Sequence, residues 1–228
     1  LNTNVNLAAP VGVLGFLGAC FVMLVLGLLA LHALVVRRFG RARLTLAAMA
    51  CVLVVYFGLT LAFSLASSGR VLARGEEKYF CEIDCHLAYS VTDVGRARTL
   101  GEGPGAAVAG GEFYVVTVRT RFDEKTISEQ RGDGPLYPNP RNLTVRDEQG
   151  RSYPVSVEGQ RALASSEGAG TPLDTPLRPG EAYTTRLVFD LPADARAPAL
   201  LINESDLPTR FIIGHENSLL HKKTEFKL

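Results

Sequence analysis

Cys81-Glu82-Ile83-Asp84-Cys85-His86 brings two thiols, two carboxylates and an imidazole into six residues. Three chemistries fit. The thiols can form a disulfide if the chain bends, since the Cα atoms must come within about 4.4–6.8 Å and an extended strand keeps them further apart. Cys81, Cys85 and His86 can bind a soft metal, because thiolate and imidazole suit copper or zinc. The pair can also act as a redox dithiol, although no thioredoxin-like βαβ pattern surrounds it. The spacing is not the C-x-x-C-H of a c-type haem site. His215 and His221 in GHENSLLHKK could add ligands, but that stretch reads as a solvated tail. His32 lies in an apolar run, close enough to its end to be hydrated.

Outside this segment the sequence offers little catalysis. No G-x-S-x-G, H-E-x-x-H or glycine-rich phosphate loop occurs, and a hydrolase needs a nucleophile, a base and an orienting group. Neighbouring carboxylates such as Glu76–Glu77 and Asp123–Glu124 read as solvated charge. The expectation is a protein that is not an enzyme and carries no cofactor, with copper as the alternative. A long Gly- and Pro-rich insert, Thr126 to Arg141, is a candidate docking surface with Tyr137, Arg131 and Asp133 as contacts.

The elements that must position these residues divide the chain in two. Of 228 residues, 47% are hydrophobic and 21% charged, with a formal net charge of +1. That balance argues against a nucleic-acid binder and against disorder. Four cysteines are too few for a disulfide-built scaffold. The apolar residues are concentrated in the first third. Val11–Val36 and Leu44–Ala66 carry no formal charge over 26 and 23 residues, and about 20 suffice to span a bilayer. Both exceed the apolar core of a signal peptide. Arg37, Arg38, Arg41 and Arg43 lie between them, and such loops stay cytoplasmic. The expected layout is therefore a hairpin over 1–68, with both termini and everything after Gly69 periplasmic, in a bacterial inner membrane. Gly12, Gly15, Gly18 and Ala19, with Ala47, Ala48 and Ala50, are expected to pack the helices on each other or on another membrane subunit. Cys20 and Cys51 read as small buried hydrophobes.

Residues 69–85 read as a charged stem, and 86–228 as one antiparallel β-sandwich. Candidate strands are His86–Val94, Glu112–Phe122, Asn142–Asp147, Arg151–Val157, Tyr183–Leu191, Ala199–Asn203 and Thr209–Ile213. Glu148-Gln149-Gly150 is a hairpin turn, and Pro154 assigns its strand to an edge or bulge. Gln160–Pro172 looks flexible, and no segment shows the period of a long amphipathic helix.

The pieces Asp147-Glu148-Gln149-Gly150-Arg151, Tyr153, Pro179-Gly180-Glu181 and Val188-Phe189-Asp190-Leu191-Pro192 occur in the order of a known fold. Over about residues 86 to 203 the chain resembles bacterial telokin-like immunoglobulin-fold secreted domains. That resemblance implies an immunoglobulin-like sandwich, telokin-like or cupredoxin-like, and no catalytic set. The layout of two helices and then a periplasmic sandwich weakly resembles subunit II of haem–copper oxidases. Cys81 and Cys85 match the first spacing of that family's Cys-x3-Cys-x3-His-x2-Met copper motif, but Tyr89 and Thr92 stand where His and Met belong.

Together these readings imply a non-catalytic accessory subunit of an energy-transducing membrane complex, either a photosynthetic reaction centre with its antenna or a respiratory oxidase. Its partners would be integral membrane subunits, the lipid bilayer and a soluble electron carrier, with no nucleic acid. The alternatives are a copper or thiol-redox domain on Cys81, Cys85 and His86, and a stand-alone envelope binding module.

Overall fold

The computed structural model describes residues 8–82, 86–128 and 130–228. These form two compact units, one of described residues up to 68 with 206–222, the other of those within 69–205 with 223–228.

In the first unit, α1 (Ala8–Val35) and α2 (Phe39–Leu65) are joined by a tight turn. The amide of Arg38 donates to the Ala33 carbonyl at 2.7 Å and that of Arg37 to Leu34 at 3.0 Å, while Arg37 takes a positive φ of 55°. This is a Schellman stop with arginine in the left-handed position. The loop expected over 37–43 is correspondingly shorter. Arg41 and Arg43 lie in the first turns of α2, where arginine is a good helix former and its long stem carries the charge outward.

The helices meet along a narrow seam. On α1, Gly12, Phe16, Ala19, Met23, Leu26, Ala30 and Ala33 are covered or half-covered, alternating four and three residues apart. On α2 the matching set is Ala42, Thr45, Met49, Val52, Tyr56, Thr60 and Ser64. That spacing is the coiled-coil seam of antiparallel neighbours. Gly15, Gly18, Ala47 and Ala50, expected at the seam, face away from it. Cys20 and Cys51 are also exposed, so their reading as buried residues is corrected. Only 6% of the most apolar window of each helix is buried, which excludes the core helices of a soluble domain; both helices are long and apolar enough to cross a membrane.

The second unit is a two-sheet sandwich. One sheet has the order β1 (Arg70–Leu72), β9 (Thr224–Lys227), β8 (Ala199–Glu204), β5 (Arg141–Arg146), β6 (Ser152–Pro154). The other runs β2 (Lys78–Cys81), β3 (His86–Leu100), β4 (Ala107–Asp123), β7 (Ala182–Leu191). The stem expected over 69–85 is thus corrected, because it supplies β1 and β2. The expected antiparallel pattern holds except that β1 pairs parallel with β9. The last strand is β9, whereas Thr209–Ile213 falls at a 3-10 helix over Leu207–Phe211 in the helical unit. Pro154 does lie on an edge strand.

Alternation builds the core between the sheets. Val116, Val118 and Thr120 of β4 point inward and are fully buried, against Phe189, Leu200, Ile202 and Phe226. The opposite face of β4 is also covered. Val115 and Phe113 pack with Val188 beneath Ala162 and Leu163 of α3 (Val157–Ser166). The flexible loop expected at 160–172 is therefore a helix at its start. Ser156 caps it by accepting from the Gly159 amide at 3.2 Å, and Gly159, Ala162 and Leu163 form its buried stripe. The same stretch covers the free edge of β7. The Gln160 side chain accepts from Val188 N at 3.0 Å and donates to Arg186 O at 2.8 Å, and Arg186 N donates to Ala169 O at 2.8 Å. A covered edge cannot pair with another chain.

One motif piece explains itself here. Asp190 accepts from the amides of Gly110 and Gly111 at 2.7 and 3.1 Å, and a Cβ on Gly111 would stand 2.1 Å from the Leu191 carbonyl oxygen. Gly111→Ala is therefore expected to cost about 2–4 kcal/mol by forcing β4 from β7, whereas Gly110→Ala, with Asp190 Oδ2 at 3.4 Å as its neighbour, costs less. Urea unfolding of the detergent-solubilised chain, followed by tyrosine fluorescence, checks the ranking.

Candidate functional site

The chemically able segment straddles the β2–β3 hairpin. β2 alternates, with Lys78 and Phe80 buried and Tyr79 and Cys81 half-buried. The register pairs Phe80 with Leu87 and Cys81 with His86. Directly opposed residues share a sheet face with Cβ atoms about 4.5–5.5 Å apart, so Cys81 and His86 are neighbours on the face away from the core. The His86 amide donates to Thr126 Oγ1 at 2.9 Å. Cys85 lies outside the described residues, as do Ile83 and Asp84, and with Cys85 both the expected disulfide and the third metal ligand. Among the described residues no group of three or more metal-ligating side chains gathers. Tyr89, at the oxidase motif's histidine position, is a fully buried core residue edge-on to Phe80. His215 and His221 belong to the helical unit. His32 is exposed in the last turn of α1.

The structure adds a buried charge cluster that the sequence reading missed. Glu82 accepts from Arg141 Nη2 and from Asn139 Nδ2. The two charged side chains are only 3% and 1% exposed. Arg141 Nη1 lies 3.9 Å from Glu204, and its guanidinium stands 4.4 Å from the centre of the Phe80 ring. Lys78 Nζ donates to the carbonyls of Ile202 and Thr224 at 2.7 and 3.1 Å and stands over the same ring. Two cations and two anions thus cancel inside the sandwich. Burial pushes the Glu82 carboxyl above its usual range, against the pull of Arg141. The signal for this cluster was the period-2 set Lys78, Phe80, Glu82, which puts both charges on the inward face.

On the outer face of the same sheet, Arg121 donates twice to Glu77 at 2.9 and 2.7 Å, and Tyr79 donates to Glu77 at 2.7 Å. The Arg121 hydrogen bonds hold the Glu77 carboxyl below its usual range. The Glu77 hydrogen bond, together with burial, pushes the Tyr79 phenol up to about 12. Asp147 closes the β5–β6 turn by accepting from Arg151 N, Arg151 Nε and Tyr153 at 2.9, 2.6 and 2.8 Å, with Gly150 at φ 80°. Each network locks strands. The insert before β5 presents Tyr137 at 71% exposure. Arg131 folds back, with its guanidinium 5.0 Å from the Phe122 ring centre and Nη1 donating to Gly134 O at 2.8 Å.

No family model matches the chain, and no curated protein does. Three solved structures are similar at 15% identity each. A secreted protein of Mycobacterium tuberculosis, MPT63, has a TM-score of 0.44 and covers 71% of this chain and 98% of its own. The yjhA protein of Bacillus subtilis has 0.42, over 71% and 99%. A conserved hypothetical protein of Bacillus anthracis has 0.42, over 57% and 89%.

Two outcomes test the networks. Arg141→Met strands a buried carboxylate and should cost about 3–5 kcal/mol, while Glu82→Gln/Arg141→Met restores most of it; chemical unfolding of the solubilised chain measures both. Asp147 is different. Burial raises its carboxyl, but Arg151 and Tyr153 outweigh that and hold it below the usual range. A lowered folded value gives stability above the unfolded value of about 3.9 that is lost as pH falls through the folded one. Asp147→Asn should therefore be less stable than the parent at pH 7 and converge on it below about pH 4, as read from unfolding midpoints across pH.

Proposed function

We propose that this chain is a non-catalytic accessory subunit of a larger membrane assembly. Its two helices span a bacterial inner membrane, and the sandwich, immunoglobulin-like in layout, is held in the periplasm as a docking module. The Arg37–Arg43 cluster supports that orientation. One observation carries the partner reading. Gly15 and Gly18 of α1 and Gly58 of α2 lie off the seam, with nothing within 4 Å of an added Cβ. Small residues on an outward helix face let a second helix backbone approach closely, which lipid chains do not require. The partner is then another membrane-embedded subunit. The resemblance of layout to subunit II of haem–copper oxidases is what suggests energy-transducing complexes as the class, with a soluble electron carrier landing near the exposed insert around Tyr137.

Native mass spectrometry of the complex extracted in mild detergent tests this. The expected result is the chain in fixed ratio with oxidase, cytochrome or reaction-centre polypeptides, and its release by Gly15→Ile/Gly18→Ile. A chain that runs alone and metal-free would leave a stand-alone envelope binding module.

The facing pair Cys81–His86 favours a second reading, a copper or thiol-redox domain completed by Cys85. It requires copper near one equivalent in the purified chain, lost in Cys81→Ser. Fully oxidised cysteines without copper exclude the metal site.

A further inference from the structure

Residues 206–222 sit between β8 and β9 in the chain but belong to the helical unit, and they include most of GHENSLLHKK, the stretch expected to be a solvated tail. The Phe211 ring stacks on Phe16 of α1 with centroids 6.5 Å apart. Its carbonyl accepts from the Tyr56 hydroxyl of α2 at 2.7 Å. Gly12 lies so close that a Cβ would meet the Ile213 carbonyl oxygen at 2.9 Å. The Lys222 amide donates to Ser67 Oγ at 2.8 Å.

Part of the segment is inside-out. Its polar side chains Glu216 and Ser218 are buried, and Ser218 donates to the Ile212 carbonyl at 2.6 Å. Leu207, Leu219 and Leu220 are 61%, 74% and 62% exposed. Leu220 is held at a φ of 62°, a conformation a bulky side chain rarely takes, and still points its side chain outward. In water this arrangement exposes leucine for no gain; in an apolar solvent it is the stable one.

Depth agrees. Phe16 lies roughly 28 Å along α1 from Val35. A hydrocarbon core is about 30 Å thick, so this ring stands near the boundary opposite the Arg-bearing turn. The exposed cations Arg210 and Lys222 flank the leucines, within reach of lipid phosphates.

We infer that residues 206–222 form an interfacial membrane anchor, with Leu207, Phe211, Leu219 and Leu220 immersed at the headgroup–acyl boundary of the leaflet away from the Arg turn. This rests on the reading of α1 and α2 as spanning helices. The occupant is lipid because the segment packs on those helices at Phe16 and Tyr56 while its leucines stay exposed.

The chain contains no tryptophan, so a single introduced indole reports alone. Leu219→Trp, Leu207→Trp and Leu28→Trp, each on an exposed site of the full chain, are reconstituted in phosphatidylcholine vesicles. The lipids are brominated either near the glycerol backbone or near the methyl end. Tyr137→Trp is the aqueous control. Immersion of about 5–10 Å should make shallow bromines quench Leu219→Trp and Leu207→Trp at least about twofold more than deep ones, while Leu28→Trp shows the reverse and Tyr137→Trp is unquenched. If Leu28→Trp is quenched and both segment tryptophans behave like Tyr137→Trp, the interfacial anchor is wrong and the spanning helices stand. If Leu28→Trp is also unquenched, both readings fall.

Discussion

A pair of helices with a mean hydropathy above 2 in each span, touching each other only along a seam of mostly small side chains, must be solvated by something other than water. Exposing that much hydrocarbon is opposed by about 25 cal/mol for every Å². This constraint sets the rest of the first unit. It explains why the turn is short and arginine-rich, why threonine can occupy seam positions while bonding to its own helix, as Thr60 does to Tyr56 at 2.9 Å, and why the 206–222 segment turns its leucines outward and its glutamate in.

The sandwich meets the opposite constraint, that of water. Its inner faces are apolar, and the vulnerable edge of β7 is covered by Gln160 and the chain around α3. Several of its charged residues are paired. Lys78, Glu82, Arg141 and Glu204 cancel in the interior, and Glu77, Tyr79 and Arg121 lock the outer face. A buried cluster of this kind adds little net stability over an apolar substitute. Its effect is geometric: Glu82, one residue beyond Cys81, is tied to Asn139 and Arg141 at the start of β5. That fixes the chain beside the only segment with cysteine chemistry in this unit.

The turn motifs behind the immunoglobulin-like resemblance all have structural work. Asp147 and Tyr153 close a hairpin, Glu181 accepts from the Arg178 amide at 2.7 Å, and Asp190 pins two glycine amides. The motifs therefore describe a scaffold.

By itself the sequence determined the two apolar spans, the order of most strands and the inward face of β4, because charge-free runs and period-2 alternation are local properties that survive any tertiary arrangement. It left α3 unseen, since ten residues held by one serine cap and one covered strand edge carry too short a period to detect. It also misplaced 69–85 and 206–222. Whether Arg70–Leu72 is a stem or a strand depends on β9, more than 150 residues away in the chain. Whether most of GHENSLLHKK is a solvated tail or part of the helical unit depends on contacts such as that of Lys222 with Ser67. Those outcomes were decided only in three dimensions, because burial belongs to a contact between distant segments and neither segment records it alone.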